Sequence, residues 1–139
     1  MRGRFRHKFS KPTVLVTEPD SFVQRHVCEI LTLHDYQVWC AGSEEEARSI
    51  CELNGHPPDL LVSEIILPAG SGAQLARDLH EINPDMGTVY MSGIYPNLRS
   101  PGPINPAHVL SKPFSSEQLL SQLERAAWED RPLGQRPEN

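Results

Sequence analysis

Short apolar runs alternate along the chain with stretches in which apolar residues recur every three or four positions. The run TVLVT at 13–17 is apolar and β-branched, as a strand covered on both faces would be. From about 21 to 33, Phe22, Val23, Val27, Ile30 and Leu31 repeat at helical spacing and predict one stripe for packing on a sheet. A second strand is expected at 36–40. Ser43 with Glu46 three residues later makes a capping box that starts the next helix, and Asn54-Gly55 supplies its stop. Glu44, Glu45 and Glu46 then occupy the first turn, where the helix dipole favours negative charge.

The alternation continues in the second half. DLLVSE at 59–64 predicts a third strand, LPAGSG a loop, and Leu75, Leu79 and Ile82 a helix that Pro84 ends. A fourth strand is expected at 88–91. Residues 94–106, IYPNLRSPGPINP, carry Pro96, Pro101, Pro103 and Pro106, which leave room only for a degraded fourth helix. A fifth strand follows at 107–111. Ser115 with Gln118 caps a last helix bearing Leu119, Leu120, Leu123, Ala126 and Ala127. Strands that alternate with crossover helices predict an α/β domain with a doubly wound, five-stranded parallel sheet. Neither G-x-G-x-x-G nor G-x-x-x-x-G-K-[ST] follows the first strand, which speaks against dinucleotide and P-loop nucleotide binding.

At 139 residues, 38% apolar and 22% charged, the chain is sized for one core. Charge refines the boundaries. Residues 1–12 hold Arg2, Arg4, Arg6, Lys8 and Lys11 and no acid, so the remainder sets eight basic against 18 acidic side chains. The expected organisation is a basic flexible arm at 1–11, a domain at 12–128 and a flexible tail at 129–139, broken by Pro132 and Pro137. An acidic body argues against nucleic acid as a partner. No apolar run approaches the roughly 18 residues a membrane span needs, and the basic start lacks the apolar stretch of a secretory signal. A cytoplasmic protein is expected. Cys28, Cys40 and Cys51 show no C-x-x-C spacing and are expected as core thiols, and the six histidines lack metal-binding spacing.

In an open parallel sheet, ligands bind outside the carboxyl ends of the strands, so the residues at which strands stop are the candidate site. They are Glu18 after the first strand, Glu64 at the end of the third, Ser92 after the fourth and Lys112 after the fifth. Two carboxylates, a hydroxyl and an ammonium suit a phosphoryl group or a carboxylate, with a cation held among the acidic oxygens.

With these residues at this spacing, positions 12–128 resemble the receiver domain of two-component response regulators, which has a flavodoxin-like fold. The acidic cluster after the first strand is here TEPD, with Glu18 and Asp20. Pro68 and Gly72 match the family's Pro and Gly after the phosphorylated Asp. Ser92-Gly93 matches its switch Ser/Thr, and Lys112-Pro113-Phe114 its Lys-Pro pair. The resemblance implies that Lys112 is the cation of the phosphate pocket and Pro113 the site of a cis peptide bond.

Four departures stand against the matches. Glu64 occupies the phosphoacceptor position, one methylene longer than Asp, and an in-line transfer loses about 100-fold for a misplacement near 1 Å. Pro19 stands at the second acidic position and offers Mg2+ no carboxylate, and Asp20 substitutes only if the loop shifts register. Val109 replaces the aromatic residue that often switches rotamer in the family. The Pro-rich segment replaces a helix of the family's output and dimerisation surface, which leaves a homodimer an open option without the usual geometry.

The expected function is therefore a pseudo-receiver in phosphorelay signal transduction that binds a protein partner without phosphorylation. The partner would be a histidine kinase, an output domain or another signalling protein. No catalytic residue and no cofactor are expected, and Mg2+ would find only Glu18, Glu64 and a loop carbonyl. Glu64 would pair with Lys112 and keep a fixed negative charge there. Glu18, Glu64 and Lys112 also read as a simple satisfied ion-pair cluster. The alternative is a still-regulated atypical receiver, or a domain that binds a small anion or Mg2+ in the strand-end crevice. One receiver of a longer regulator or hybrid kinase is a further option.

Overall fold

The computed structural model describes residues 12–93 and 104–129, and its first element, β1 (Thr13–Thr17), is buried along its whole length. There follow α1 (Ser21–Leu33), β2 (Gln37–Ala41), α2 (Glu44–Asn54) and β3 (Leu60–Glu64). A small antiparallel pair, β4 (Ile66–Leu67) and β5 (Gly70–Ser71), leads into α3 (Gly72–Ile82), β6 (Gly87–Ser92), a 3-10 turn (Pro106–His108), β7 (Val109–Ser111) and α4 (Ser116–Glu129). The main sheet has five strands in the order β2-β1-β3-β6-β7, every pairing parallel. This is the doubly wound architecture expected from the alternation, and the flavodoxin-like fold that the resemblance implies.

Because side chains alternate across a strand, β1 feeds two cores. Val14 and Val16 pack with Val27 and Leu31 of α1 and with Leu119 and Leu123 of α4. Leu15 points the other way, into a core with Ala47 of α2, Leu75 and Leu79 of α3, and Ile65. Helices thus cover both faces, which is why the central strands are apolar without alternation.

Local chemistry explains the helix starts. Ser43 accepts from Glu46 N, as the capping box predicts, and Gly55 ends α2 in the left-handed conformation at φ 78°. Ser115 and Gln118 bond reciprocally at the start of α4. Ser71, not anticipated from the sequence, caps α3 through Gln74 N.

Several expectations are corrected. Strand β2 lies one residue later than expected, because Gln37 N takes Pro12 O and sets the register from Thr13↔Gln37 onward. Pro106, lacking an N–H, starts a 3-10 turn, so the last strand begins at Val109 and not at 107. Phe22 and Ile82 fit the helical period, yet they are 81% and 66% exposed; they stand in the first turn of α1 and the last turn of α3. Cys28 and Cys40, expected as free thiols, are bonded as a disulfide between α1 and β2, with Cα atoms 6.8 Å apart; Cys51 is free. The helix–turn–strand path folds residue 28 back over residue 40, a proximity that a 12-residue spacing does not announce.

Residues 94–103 of the expected degraded helix, the arm at 1–11 and residues 130–139 of the tail lie outside the described residues. Among the described residues no helix is long and apolar enough to cross a membrane.

Candidate functional site

Parallel strands present their C-terminal ends on one edge of the sheet, and there Glu18, Glu64 and Lys112 meet. Lys112 Nζ donates to Glu18 Oε1 at 2.8 Å and to Glu64 Oε1 at 2.7 Å. The second oxygen of each carboxylate is also engaged. Glu18 Oε2 accepts from Asp20 N at 3.0 Å, and Glu64 Oε2 accepts from Ile65 N at 2.9 Å and Ile66 N at 3.4 Å. Glu64 uses its additional methylene to curl back onto the backbone that follows it.

The Glu18 side chain is 2% exposed, that of Glu64 15% and that of Lys112 21%. Charges this deep need partners, and one ammonium between two carboxylates leaves the cluster with a single net negative charge. Burial alone would lower the Lys112 pKa. The hydrogen bonds from Glu18 and Glu64, and then their charges, outweigh it and hold the ammonium above its ordinary 10.5.

Backbone contacts fix the strand ends. Glu18 N donates to Ala41 O at 3.0 Å, and the Gln24 amide bridges Glu18 O at 3.0 Å and Ala41 O at 3.2 Å, tying α1 to the ends of β1 and β2. Lys112 N donates to Ser92 O at 2.9 Å, and the Ser92 side chain is buried. Lys112-Pro113 is a cis peptide bond, the form proposed for Pro113 from the resemblance. Gly72 is demanded by close approach, since a Cβ there would stand 2.5 Å from Glu64 O and 2.8 Å from Ser63 Oγ. Neither Gln24 nor this contact was legible in the sequence; the fixed eight-residue offset of Gly72 from Glu64 was the only signal.

The other candidates are placed differently. Asp20, expected in the acidic pocket, is exposed and caps α1, its Oδ1 accepting from Phe22 N and Val23 N. The orphan N–H groups of the helix start draw its carboxylate to themselves. Val109 is half-buried on β7 in register with Tyr90 of β6, and both join the core on the α2 and α3 side. An aromatic ring missing from position 109 is thus supplied on the same face by the neighbouring strand.

Mg2+ asks for about six oxygens in near-octahedral array. Here the oxygens of Glu18 and Glu64 already serve Lys112 and backbone N–H groups, Pro19 contributes no carboxylate, and Asp20 is committed to its helix. Among the described residues no group of three or more His, Cys, Asp or Glu is arranged to hold a metal ion. The residues present do not fit Mg2+, and chemically the arrangement is a cradle of net charge -1 with an internal cation in place of an external one.

No family model matches the chain. It is 30% identical over 114 residues to the response regulator receiver protein CpdR of Brucella abortus (strain 2308), covering 81% of this chain and 93% of that protein. It is 32% identical over 114 residues to the sensor kinase CckA of the same organism, covering 78% of this chain but only 12% of that longer protein. Among solved structures, a response regulator receiver protein from Sinorhizobium medicae WSM419 superposes with a TM-score of 0.74 at 25% identity, over 84% of this chain and 94% of that one.

Proposed function

The chain belongs to the response regulator receiver family, and on that premise we propose that it is a pseudo-receiver, a two-component signalling module that engages a protein partner without being phosphorylated. One observation carries the proposal. Lys112 bridges Glu18 and Glu64, so the carboxylates that would receive a metal and a phosphoryl group are joined by an internal cation. Pro19 and the curled Glu64 side chain support it from the side of coordination and reach.

In this reading the domain is not an enzyme, holds no cofactor and acts through its surface. Its partner is a histidine kinase, an output domain or another signalling protein of the cytoplasm, and nucleic acid is not a partner. One relative is a sensor kinase of which the matching segment is a small part, so attachment to a kinase or docking onto one belongs to the same proposal. Pairing of two copies is compatible with it.

The test is an NMR titration of isotope-labelled protein with Mg2+ and then beryllofluoride, an acyl-phosphate mimic, read at the amides of Glu64, Ser92 and Lys112. The expected outcome is unmoved resonances at millimolar ligand. Shifts at those amides that saturate together would replace the proposal with an atypical but regulated receiver.

A further inference from the structure

We propose that Cys28 and Cys40 are a reversible thiol–disulfide couple, a redox modification site that sets how firmly α1 is tied to the edge strand β2 beside Glu18. The pair joins two different elements. Cys28 lies in the second half of α1, and Cys40 is the last residue but one of β2, at the border of the sheet. Neither residue is fully buried, and both line an open groove of about 640 Å³ shared with Arg25, Glu29 and Leu33. The groove therefore brings a small thiol or disulfide alongside the pair, as thiol–disulfide exchange requires.

The third cysteine does not compete. Cys51 belongs to α2 and packs with the core on the opposite face of the sheet, whereas Cys28 packs on the α1 side. Burial foremost raises the Cys51 thiol pKa, with Glu52 adding to the rise and Arg48 opposing it, so little thiolate is present there to attack.

Closure needs an oxidant, and the class that fits is a low-molecular-weight disulfide such as oxidised glutathione. One cysteine thiolate attacks it, forming a mixed disulfide and releasing one glutathione thiol. The second cysteine then displaces the other glutathione, forming the Cys28–Cys40 bond. The two cysteines together lose two protons and two electrons, and the oxidant takes them up as two thiols. Excess reduced glutathione runs the sequence backwards.

The consequence lies next to the bond. Cys40 precedes Ala41, whose carbonyl accepts from Glu18 N and from the Gln24 amide, and Gln24 stands one turn before Cys28 on α1. The covalent tie and the hydrogen bonds thus form one row across the α1–β2 seam and end at the Glu18 backbone. Opening the bond leaves that seam to Gln24 and to packing among Val23, Val27, Leu31 and Val38. This inference is independent of whether the pocket takes phosphate.

The experiment equilibrates the full chain in glutathione buffers of graded potential and counts reactive thiols after denaturation, with peptide mapping to locate the bond. The expected result is three thiols per chain under reduction falling to one under oxidation, reversibly, with the bond mapped to Cys28 and Cys40. The amides of Glu18, Gln24 and Ala41 should move between the two forms. The reduced wild-type chain serves as the open form, so the comparison does not depend on a Cys28→Ser/Cys40→Ser variant folding. Three thiols persisting under oxidised glutathione, a bond to Cys51, or unmoved amides at the seam would each overturn the proposal.

Discussion

The ammonium of Lys112 lies 2.7 Å from a carboxylate oxygen of Glu64, a residue 48 positions earlier in the chain, and the same nitrogen holds Glu18. Replacing Lys112 by Met would leave two carboxylates at close quarters without a cation, and removing one partner of a buried ion pair costs about 3 to 5 kcal/mol. The sign with pH follows from its raised pKa. The Lys112 contribution is complete below its ordinary 10.5 and is lost as pH rises through the higher folded value. Denaturation of wild type and Lys112→Met should show a constant gap from about pH 7 to about pH 9 that narrows above about 10.5. A gap unchanged far into alkali would contradict the ion cluster.

The proposed pseudo-receiver departs from the family at both Pro19 and Glu64, so on that proposal undoing one departure is not enough. Glu64→Asp alone shortens the side chain but leaves Pro19, and is expected to stay silent to Mg2+ and beryllofluoride. Pro19→Asp with Glu64→Asp adds the missing carboxylate and frees the reach beside Lys112, and is expected to show Mg2+-dependent saturation of the Ser92 and Lys112 amides. A silent double variant, folded by its spectrum, would mean that the block lies elsewhere in the pocket.

Asp20 is a helix cap, and its removal should behave as one. Asp20→Ala is expected to cost about 1 kcal/mol through loss of the bonds to Phe22 N and Val23 N. The Lys112 pairings should persist, with its pH dependence as in wild type. A changed alkaline profile would place Asp20 in the cluster after all.

The elements were legible because each carries its own period: unbroken apolar strands for a sheet covered on both faces, and three- and four-residue spacing for the helices. The strand-end acids and Lys112 were legible through topology, since parallel strands deliver their C-terminal residues to one edge. What stayed hidden depended on side chains finding backbone groups far away in sequence. Gln24 bridging two carbonyls, Asp20 turning to its own helix, and Cys28 meeting Cys40 are choices among competing partners that only the assembled α1–β2 seam decides. The hairpin of β4 and β5 was missed because two-residue strands have no period to read.

Gly72 offers a steric test. A methyl group there would press on the Glu64 carbonyl, a backbone atom with nowhere to go, and overpacking of this kind costs about 1 to 3 kcal/mol. Gly72→Ala should lower the unfolding midpoint and move the Glu64 amide resonance. An unperturbed variant would show that α3 can start elsewhere.

The bonds from Lys112 also carry information about time. They span 94 and 48 residues, so β1, β3, β6 and β7 must come together before the three charges can meet, and until then water solvates each of them. The cluster is therefore expected to close late in assembly. Weakening it should hasten unfolding while leaving the folding limb of a chevron nearly unchanged, which makes the pocket a latch on the finished domain and not a nucleus from which it grows.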